Sequence, residues 1–242
     1  MTGQTGTGLA GQVALVTGAS RGIGAAIAEL LAATGAHVVL TGRDVKALEI
    51  VEQRIFDAGG NATIAPVDLA DPDGIARLAG AIAERWKQLD ILVHSAAILP
   101  ELTPVKDIDQ TQFSKALTVN VLATQALIAQ FDPLLRASPD PRLIYLTTSV
   151  ADAPRAYWGA YAASKAAAAA LIECYAQETR NISKLRVAIV DPGATRTAMR
   201  AKAYPGEDPA SVKLPVVVAE RVLSLLGEQF ASPHRERVNQ SS

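Results

Sequence analysis

The sequence predicts an α/β protein: one domain built on a doubly wound, mostly parallel sheet of six to seven strands, with helices on both faces. Three observations carry this expectation. Short apolar runs of strand length alternate with longer stretches whose apolar residues recur at helical spacing. A glycine-rich turn directly follows the first apolar run and opens the first helical stretch. The 242 residues, 49% of them hydrophobic, are enough to bury one substantial core.

Taken in order, Val13-Ala14-Leu15-Val16-Thr17 reads as a buried strand. A helix follows through Ile27 and Leu31 and stops at Gly35. Residues 37–41 form a second strand, then a helix runs through Leu48, Val51 and Ile55 to Gly59-Gly60. A third strand is expected at 63–67. Asp71-Pro72 opens the next helix, with Asp as N-cap and Pro at the first helical position, and Ile75, Leu78, Ala79 and Ile82 mark its apolar face. Strands at 91–93 and 143–146 flank a long helix expected over 112–135, and a sixth strand lies at 187–190. Strands alternating with helices imply right-handed crossovers and a covered parallel sheet. Ligand then binds at the carboxyl ends of the strands, where the winding direction reverses.

Two local patterns carry chemistry. Gly18-Ala19-Ser20-Arg21-Gly22-Ile23-Gly24, spaced G-x-x-x-G-x-G, sits between strand and helix. Glycines there let the backbone approach a pyrophosphate, and the helix N-terminus offers free N–H donors. Downstream, Tyr161 and Lys165 stand four apart on a helical stretch and so share a face. A phenol with a pKa of ~10 is a poor acid or base at neutral pH, and a neighbouring ammonium lowers that value. Ser149, twelve residues before Tyr161, is placed to hold a carbonyl oxygen beside it. Tyr157 and Thr148 are the rival phenol and hydroxyl; the i+4 neighbour of Tyr157 is Tyr161, not a cation.

Thr17-Gly-Ala-Ser-Arg-Gly-Ile-Gly24, Leu89-Asp90-Ile91-Leu92-Val93, Asn120, Ser149, Tyr161-x-x-x-Lys165, Pro192-Gly193 and Thr197, in that order, resemble the short-chain dehydrogenase/reductase family. The resemblance covers roughly residues 10 to 227 and implies a Rossmann-type fold. It further implies that Tyr161 exchanges a proton with the substrate oxygen and that Lys165 lowers the Tyr161 pKa and binds the nicotinamide ribose. Ser149 would polarise the carbonyl and Asn120 would support a water in a proton relay. Gly18, Ser20, Arg21, Gly22, Ile23 and Gly24 would cradle the cofactor phosphates, with Leu69, Ser95, Ala96, Ala97, Pro192 and Gly193 along the same groove. Thr195 and Thr197 match positions that hold the nicotinamide carboxamide. Asp68 matches a contact to the adenine edge; a helix-capping or loop carboxylate is its other reading. The usual Asn-Asn-Ala-Gly after the fourth strand appears here as His94-Ser95-Ala96-Ala97.

Gly42 stands where a carboxylate would bond an adenosine ribose, and Arg43 follows it. With Arg21 in the glycine loop, two guanidinium groups favour a 2′-phosphate, so NADP(H) is expected over NAD(H). In the competing reading Arg43 is a solvated charge, and Asp44 or the backbone holds an unphosphorylated ribose. The reaction expected is interconversion of a small-molecule carbonyl and alcohol by hydride transfer. The alternative is a non-catalytic NADP(H)-binding sensor or partner protein that keeps the fold; nucleotide-sugar epimerases and dehydratases generally append a substrate domain.

A net charge of −1 opposes nucleic-acid binding. The single Cys174 fits a reducing cytoplasm. No apolar stretch has bilayer-spanning length, so no membrane partner is expected, and no His/Cys/carboxylate cluster has metal-ligand spacing, so no metal is expected. Residues 1–10 are expected as a flexible tail, 11–232 as the domain and 233–242 as a polar tail in which only 237–240 could make an edge strand. Segment 199–214 is expected as a substrate lid, where Arg196, Arg200 and Lys202 could attract an anion. Apolar Ile98, Leu99 and Pro100 form the opposite wall. Trp158 reads either as a packed aromatic or as a specificity element. Family habit and the alanine run at 166–170 point to a homodimer, with a homotetramer as the larger alternative.

Overall fold

The computed structural model describes residues 8–239, within which one seven-stranded, all-parallel sheet has the order β3-β2-β1-β4-β5-β6-β7. The strands are β1 (Val13–Thr17), β2 (His37–Thr41), β3 (Asn61–Ile64), β4 (Ile91–His94), β5 (Arg142–Leu146), β6 (Arg186–Asp191) and β7 (His234–Arg237). β1 pairs with both β2 and β4, so the winding reverses between β1 and β4.

Residues 13 to 17 are buried on both faces, which is why β1 reads as an unbroken apolar run. Ala14 and Val16 face α1 (Gly22–Ala33), α2 (Val45–Asp57) and α9 (Pro215–Gly227). Val13 and Leu15 face α3 (Pro72–Trp86), α5 (Ala123–Ala137) and α7 (Gly159–Thr179). Fully buried side chains such as Leu15, Leu48, Ile75 and Phe131 fill both layers, each contributing about 1.5–3 kcal/mol. The expected cap holds: the Asp71 carboxylate accepts from Asp73 N ahead of Pro72.

Four expectations are corrected. β3 begins at Asn61 and ends at Ile64, because Ala65 and Val67 continue only as single backbone bonds to Leu40 O and Gly42 O. The long helix is three pieces: α4 (Gln110–Leu117), a π-helical turn (Thr118–Leu122) and α5. Hydroxyl bonds from Thr118 to Ser114 O and from Thr124 to Asn120 O brace that wider turn. The edge strand is His234–Arg237 and not 237–240, so the sheet continues past residue 232. At the other end Leu9 is core, its N–H bonded to Thr34 O, while residues 1–7 of the expected tail lie outside the described residues. No helix among the described residues is long and apolar enough to cross a membrane.

Candidate active site

A cleft of about 750 Å³ opens at the carboxyl ends of β1 and β4, where the winding reverses. Its first wall is mostly backbone. Gly18, Ser20, Arg21, Gly22, Ile23 and Gly24 line it, as do Ser95, Ala96 and Ala97 after β4. Gly18 has φ +68°, and a Cβ there would stand 2.9 Å from Ala96 Cα. A Cβ on Gly24 would overlap the Gly18 carbonyl oxygen. α1 has no side-chain cap and no acidic residue in its first turn, so its N–H groups point into the cleft unneutralised. Arg21 and Arg43 both line this end, together with Gly42, Asp44, Asp68 and Leu69. Asp44 and Asp68 have local bonds as well: Asp44 caps α2 through Ala47 N, and Asp68 accepts from Ala70 N. These features fit a dinucleotide: glycines where side chains would block the backbone, a helix N-terminus for the pyrophosphate, and two guanidinium groups beyond it.

His94 replaces the amide that the family resemblance leads one to expect, and the structure shows how. Thr17 Oγ1 accepts from Ser95 N and Ala96 N, both at 3.1 Å. Its own hydrogen therefore goes to His94 Nδ1, 2.9 Å away. His94 Nε2–H then donates to Thr124 Oγ1 at 2.9 Å, whose hydrogen goes to Asn120 O at 2.8 Å. One neutral tautomer satisfies the whole chain. Burial, with the Lys165 charge adding to it, lowers the His94 pKa to about 3. The imidazole thus ties β1 and β4 to the π-helical turn.

The second wall is side chain. Asn120 lies behind it, 1% exposed, holding Ile98 N and O and Ser164 Oγ at 2.9–3.0 Å. Tyr161 and Lys165 both line the cleft from α7. Tyr161 Oη donates to Met199 Sδ at 3.8 Å, and Lys165 Nζ donates to Leu146 O at 2.6 Å. Burial, then Asp191, pushes the Tyr161 phenol above its ordinary value. Burial lowers Lys165 to about 7. The expected depression of Tyr161 by Lys165 is therefore not what this arrangement gives: burial of the phenol, with Asp191 adding to it, raises the value.

Ser149 opens the one-turn helix α6 (Ser149–Asp152), and Thr148 stands at its N-cap position without a side-chain capping bond. Both are half-buried and neither is among the residues lining the cleft. Thr147 does line it, and its buried Oγ1 has no hydrogen-bond partner among the described residues. Sequence reasoning missed Thr147; the polar run Thr147-Thr148-Ser149 at a strand end was the available signal. Tyr157, at φ +73°, is 58% exposed and outside the cleft. Pro192 and Thr197 line the cleft, whereas Gly193 and Thr195 shape the loop behind it. Thr195 Oγ1 bonds Pro192 O and Gly193 O, and Gly193 N bonds Asp191.

The expected lid contains α8 (Ala198–Ala203) and a 3₁₀ turn at Pro209–Ser211. Arg200 grips Glu207 with two bonds and stacks on Tyr204 at 3.6 Å, while Arg196 bonds Pro209 O. Of Arg196, Arg200 and Lys202, only Lys202 lines the cleft. Ile98 and Leu99 line it as expected; Pro100 is buried elsewhere. Trp158 packs between Tyr161 and Tyr204, at 6.0 and 5.7 Å between ring centroids, within an apolar cluster that includes Leu99, Val150 and Met199. No group of three His, Cys, Asp or Glu among the described residues is arranged to hold a metal ion.

The short chain dehydrogenase family matches residues 12–208, and the chain belongs to that family. It is 36% identical over 220 residues to the uncharacterized oxidoreductase YciK of Escherichia coli (strain K12), covering 90% of this chain and 86% of that one. The crystal structure of a short chain dehydrogenase from Salmonella enterica serovar Typhi superposes with a TM-score of 0.93 at 34% identity, over 99% of this chain and 100% of that chain. A crystal structure from Shigella flexneri, complexed with NADP, gives a TM-score of 0.91 at 33% identity, over 97% and 99% of the two chains.

Proposed function

We propose that this oxidoreductase interconverts a carbonyl and an alcohol by hydride transfer with NADP(H), with Tyr161 as general acid/base. One observation carries the reading. Tyr161 and Lys165 enter the cleft from one helical face, opposite a glycine cradle flanked by Arg21 and Arg43. When bound, NADPH supplies the hydride, and NADP⁺ takes it back in the reverse direction. Tyr161 Oη gives its proton to the carbonyl oxygen as that carbon is reduced. The hydroxyl leaves only a long contact to Met199 Sδ to do so. Lys165 keeps two N–H donors beyond its bond to Leu146 O, for the nicotinamide ribose and for the Tyr161 oxygen. Ser149, with Thr147 nearer the cleft, orients the carbonyl, and Asn120 holds the α7 wall and the proposed proton relay in register. Asp68 at the adenine edge and Thr197 at the nicotinamide carboxamide meet the nucleotide from the cleft wall, while Gly193 and Thr195 act through the loop behind them.

Preference for NADP(H) is supported by Arg21 and Arg43 at one end of the cleft and by the engagement of Asp44 as a helix cap. Guanidinium meets a 2′-phosphate bidentately, whereas an unphosphorylated ribose offers it little. The NADP complex of the Shigella flexneri relative points the same way. A homodimer is proposed through α7, which exposes the small residues Ala163, Ala167, Ala170 and Cys174 along one face. A cytoplasmic setting is proposed from that one free thiol.

A second reading, a non-catalytic NADP(H)-binding sensor, draws on the internal bonds of Tyr161 and Lys165. One experiment separates the two: NADPH consumption against ketones, aldehydes, quinones and oxoacyl thioesters, with NADH and Tyr161→Phe in parallel. The enzyme reading expects turnover with NADPH, weaker with NADH, that falls about 100- to 10,000-fold in the variant. Binding of NADPH without turnover across the panel would favour the sensor.

A further inference from the structure

Lys165 is 3% exposed, and a buried ammonium persists only where its surroundings meet its charge. Among the described residues Nζ has one hydrogen-bond partner, Leu146 O, and no carboxylate. Its other close contact is an aromatic face: Nζ lies 4.2 Å from the centroid of the Tyr145 ring. Tyr145 is fully buried in β5, and the His94 ring on the adjacent strand, its register partner, stands 5.6 Å away. The ring is thus fixed by the sheet. Its hydroxyl, by contrast, has no hydrogen-bond partner among the described residues, which is costly for a buried group. The hydroxyl therefore does not account for the residue, whereas the negative face of the ring does.

We infer that Tyr145 is a positioning residue for Lys165, its ring face holding the ammonium beneath the cleft at a point no carboxylate among the described residues reaches. The inference rests on the proposed partnership of Lys165 with Tyr161. The groups around the ammonium come from several elements. β4 contributes His94, kept neutral; β5 contributes Tyr145 and the Leu146 carbonyl; α7 itself contributes Tyr161. Asp191 of β6 acts on Tyr161, and Arg235 of β7 acts on Tyr145. A ring face favours the charged ammonium, so its removal lowers the Lys165 titration midpoint further below the ordinary lysine value. The starting point of about 7 lies in a readily measured range.

The test is a ¹³C NMR titration of the full chain carrying ¹³Cε-labelled lysine, with the Lys165 signal assigned by its loss in Lys165→Met. Tyr145→Phe keeps the face and is expected to titrate as the parent protein does. Tyr145→Leu and Tyr145→Met, two variants chosen so that one folded example suffices, are expected to titrate lower by about 0.4–1.5 pH units. Urea unfolding of each variant verifies the fold. Midpoints in both aliphatic variants equal to the parent's would overturn the inference, as would a Phe variant shifted as far as the Leu variant. The readout is protonation, not turnover. Failure of the carbonyl panel would therefore sink the proposed reaction while this titration still decides the role of Tyr145.

Discussion

The two walls of the cleft face the same space but are made of different material. Across β1, α1 and β4 the wall is main chain, and its shape is set by what is missing: side chains at Gly18 and Gly24 would overlap neighbouring backbone. Across α7 and α8 the wall is side chain, and each polar tip already has a partner, Tyr161 with Met199 and Lys165 with Leu146 O. A main-chain wall is rigid and serves one ligand shape. A side-chain wall is adjustable, and substrate must compete with the internal contacts. Within one family fold, the first wall suits a shared nucleotide and the second suits a substrate that varies from member to member.

The largest expected effect comes from breaking the rigid wall. Gly18→Ala forces a Cβ onto Ala96 at a left-handed backbone position. It should lower unfolding stability by about 1–3 kcal/mol and weaken NADPH binding by at least roughly tenfold, as read by denaturant melts and fluorescence titration. Undiminished NADPH affinity would mean the wall is softer than its packing implies.

A middle-sized effect is expected at the tie between the walls. His94 has a folded pKa of about 3, below the unfolded value of ~6.5. The unfolded chain therefore binds the extra proton first as pH falls. The stability due to neutral His94 is complete above ~6.5 and is lost progressively towards about 3. His94→Asn should flatten the decline in urea stability between pH 7 and 4 by about 3 kcal/mol, although the variant starts lower at pH 7. An acid slope unchanged by the substitution would show that His94 is not the buried neutral bridge between Thr17 and Thr124.

The smallest effect belongs to the adjustable wall. Met199→Ala removes the sulfur that Tyr161 Oη now contacts and widens the apolar cluster with Leu99 and Trp158. The expected outcome is a KM change of about two- to tenfold for bulky carbonyl substrates, with NADPH affinity held. Loss of NADPH affinity in this variant would erase the division between the walls.

What could be read from the chain follows the same division. The glycine loop, the strand that precedes it and the Tyr161/Lys165 pair are local patterns, and the loop and the pair meet in one cleft at the end of that strand. The Asp71-Pro72 helix start was equally legible because its cap is a bond between near neighbours. Partner choice over long distances was not. Nothing in the local sequence says that Arg200 spends its charge on Glu207, or that Lys165 finds a ring on β5. The π-helical turn at Asn120 leaves no mark in a helical apolar pattern, since it adds residues to one turn without ending the helix. The charged segment His234-Arg235-Glu236-Arg237 lacks the apolar signature of a strand, and only its pairing with β6 reveals it as one.

That last strand has a consequence for the molecule in a crowded solution. An open parallel sheet ends in a row of unpaired backbone groups, a template onto which a strand of another molecule can add. Here the outermost strand carries Arg235, bound to Glu173 and Asp152, and Glu236, bound to Arg221. The exposed Arg235 pairs contribute little to folding stability. Their value lies in making strand capture unfavourable, since an incoming chain would have to strip water and partners from several charges at once. The chain ends its sheet on a surface that discourages aggregation and keeps the apolar β6 behind it out of reach.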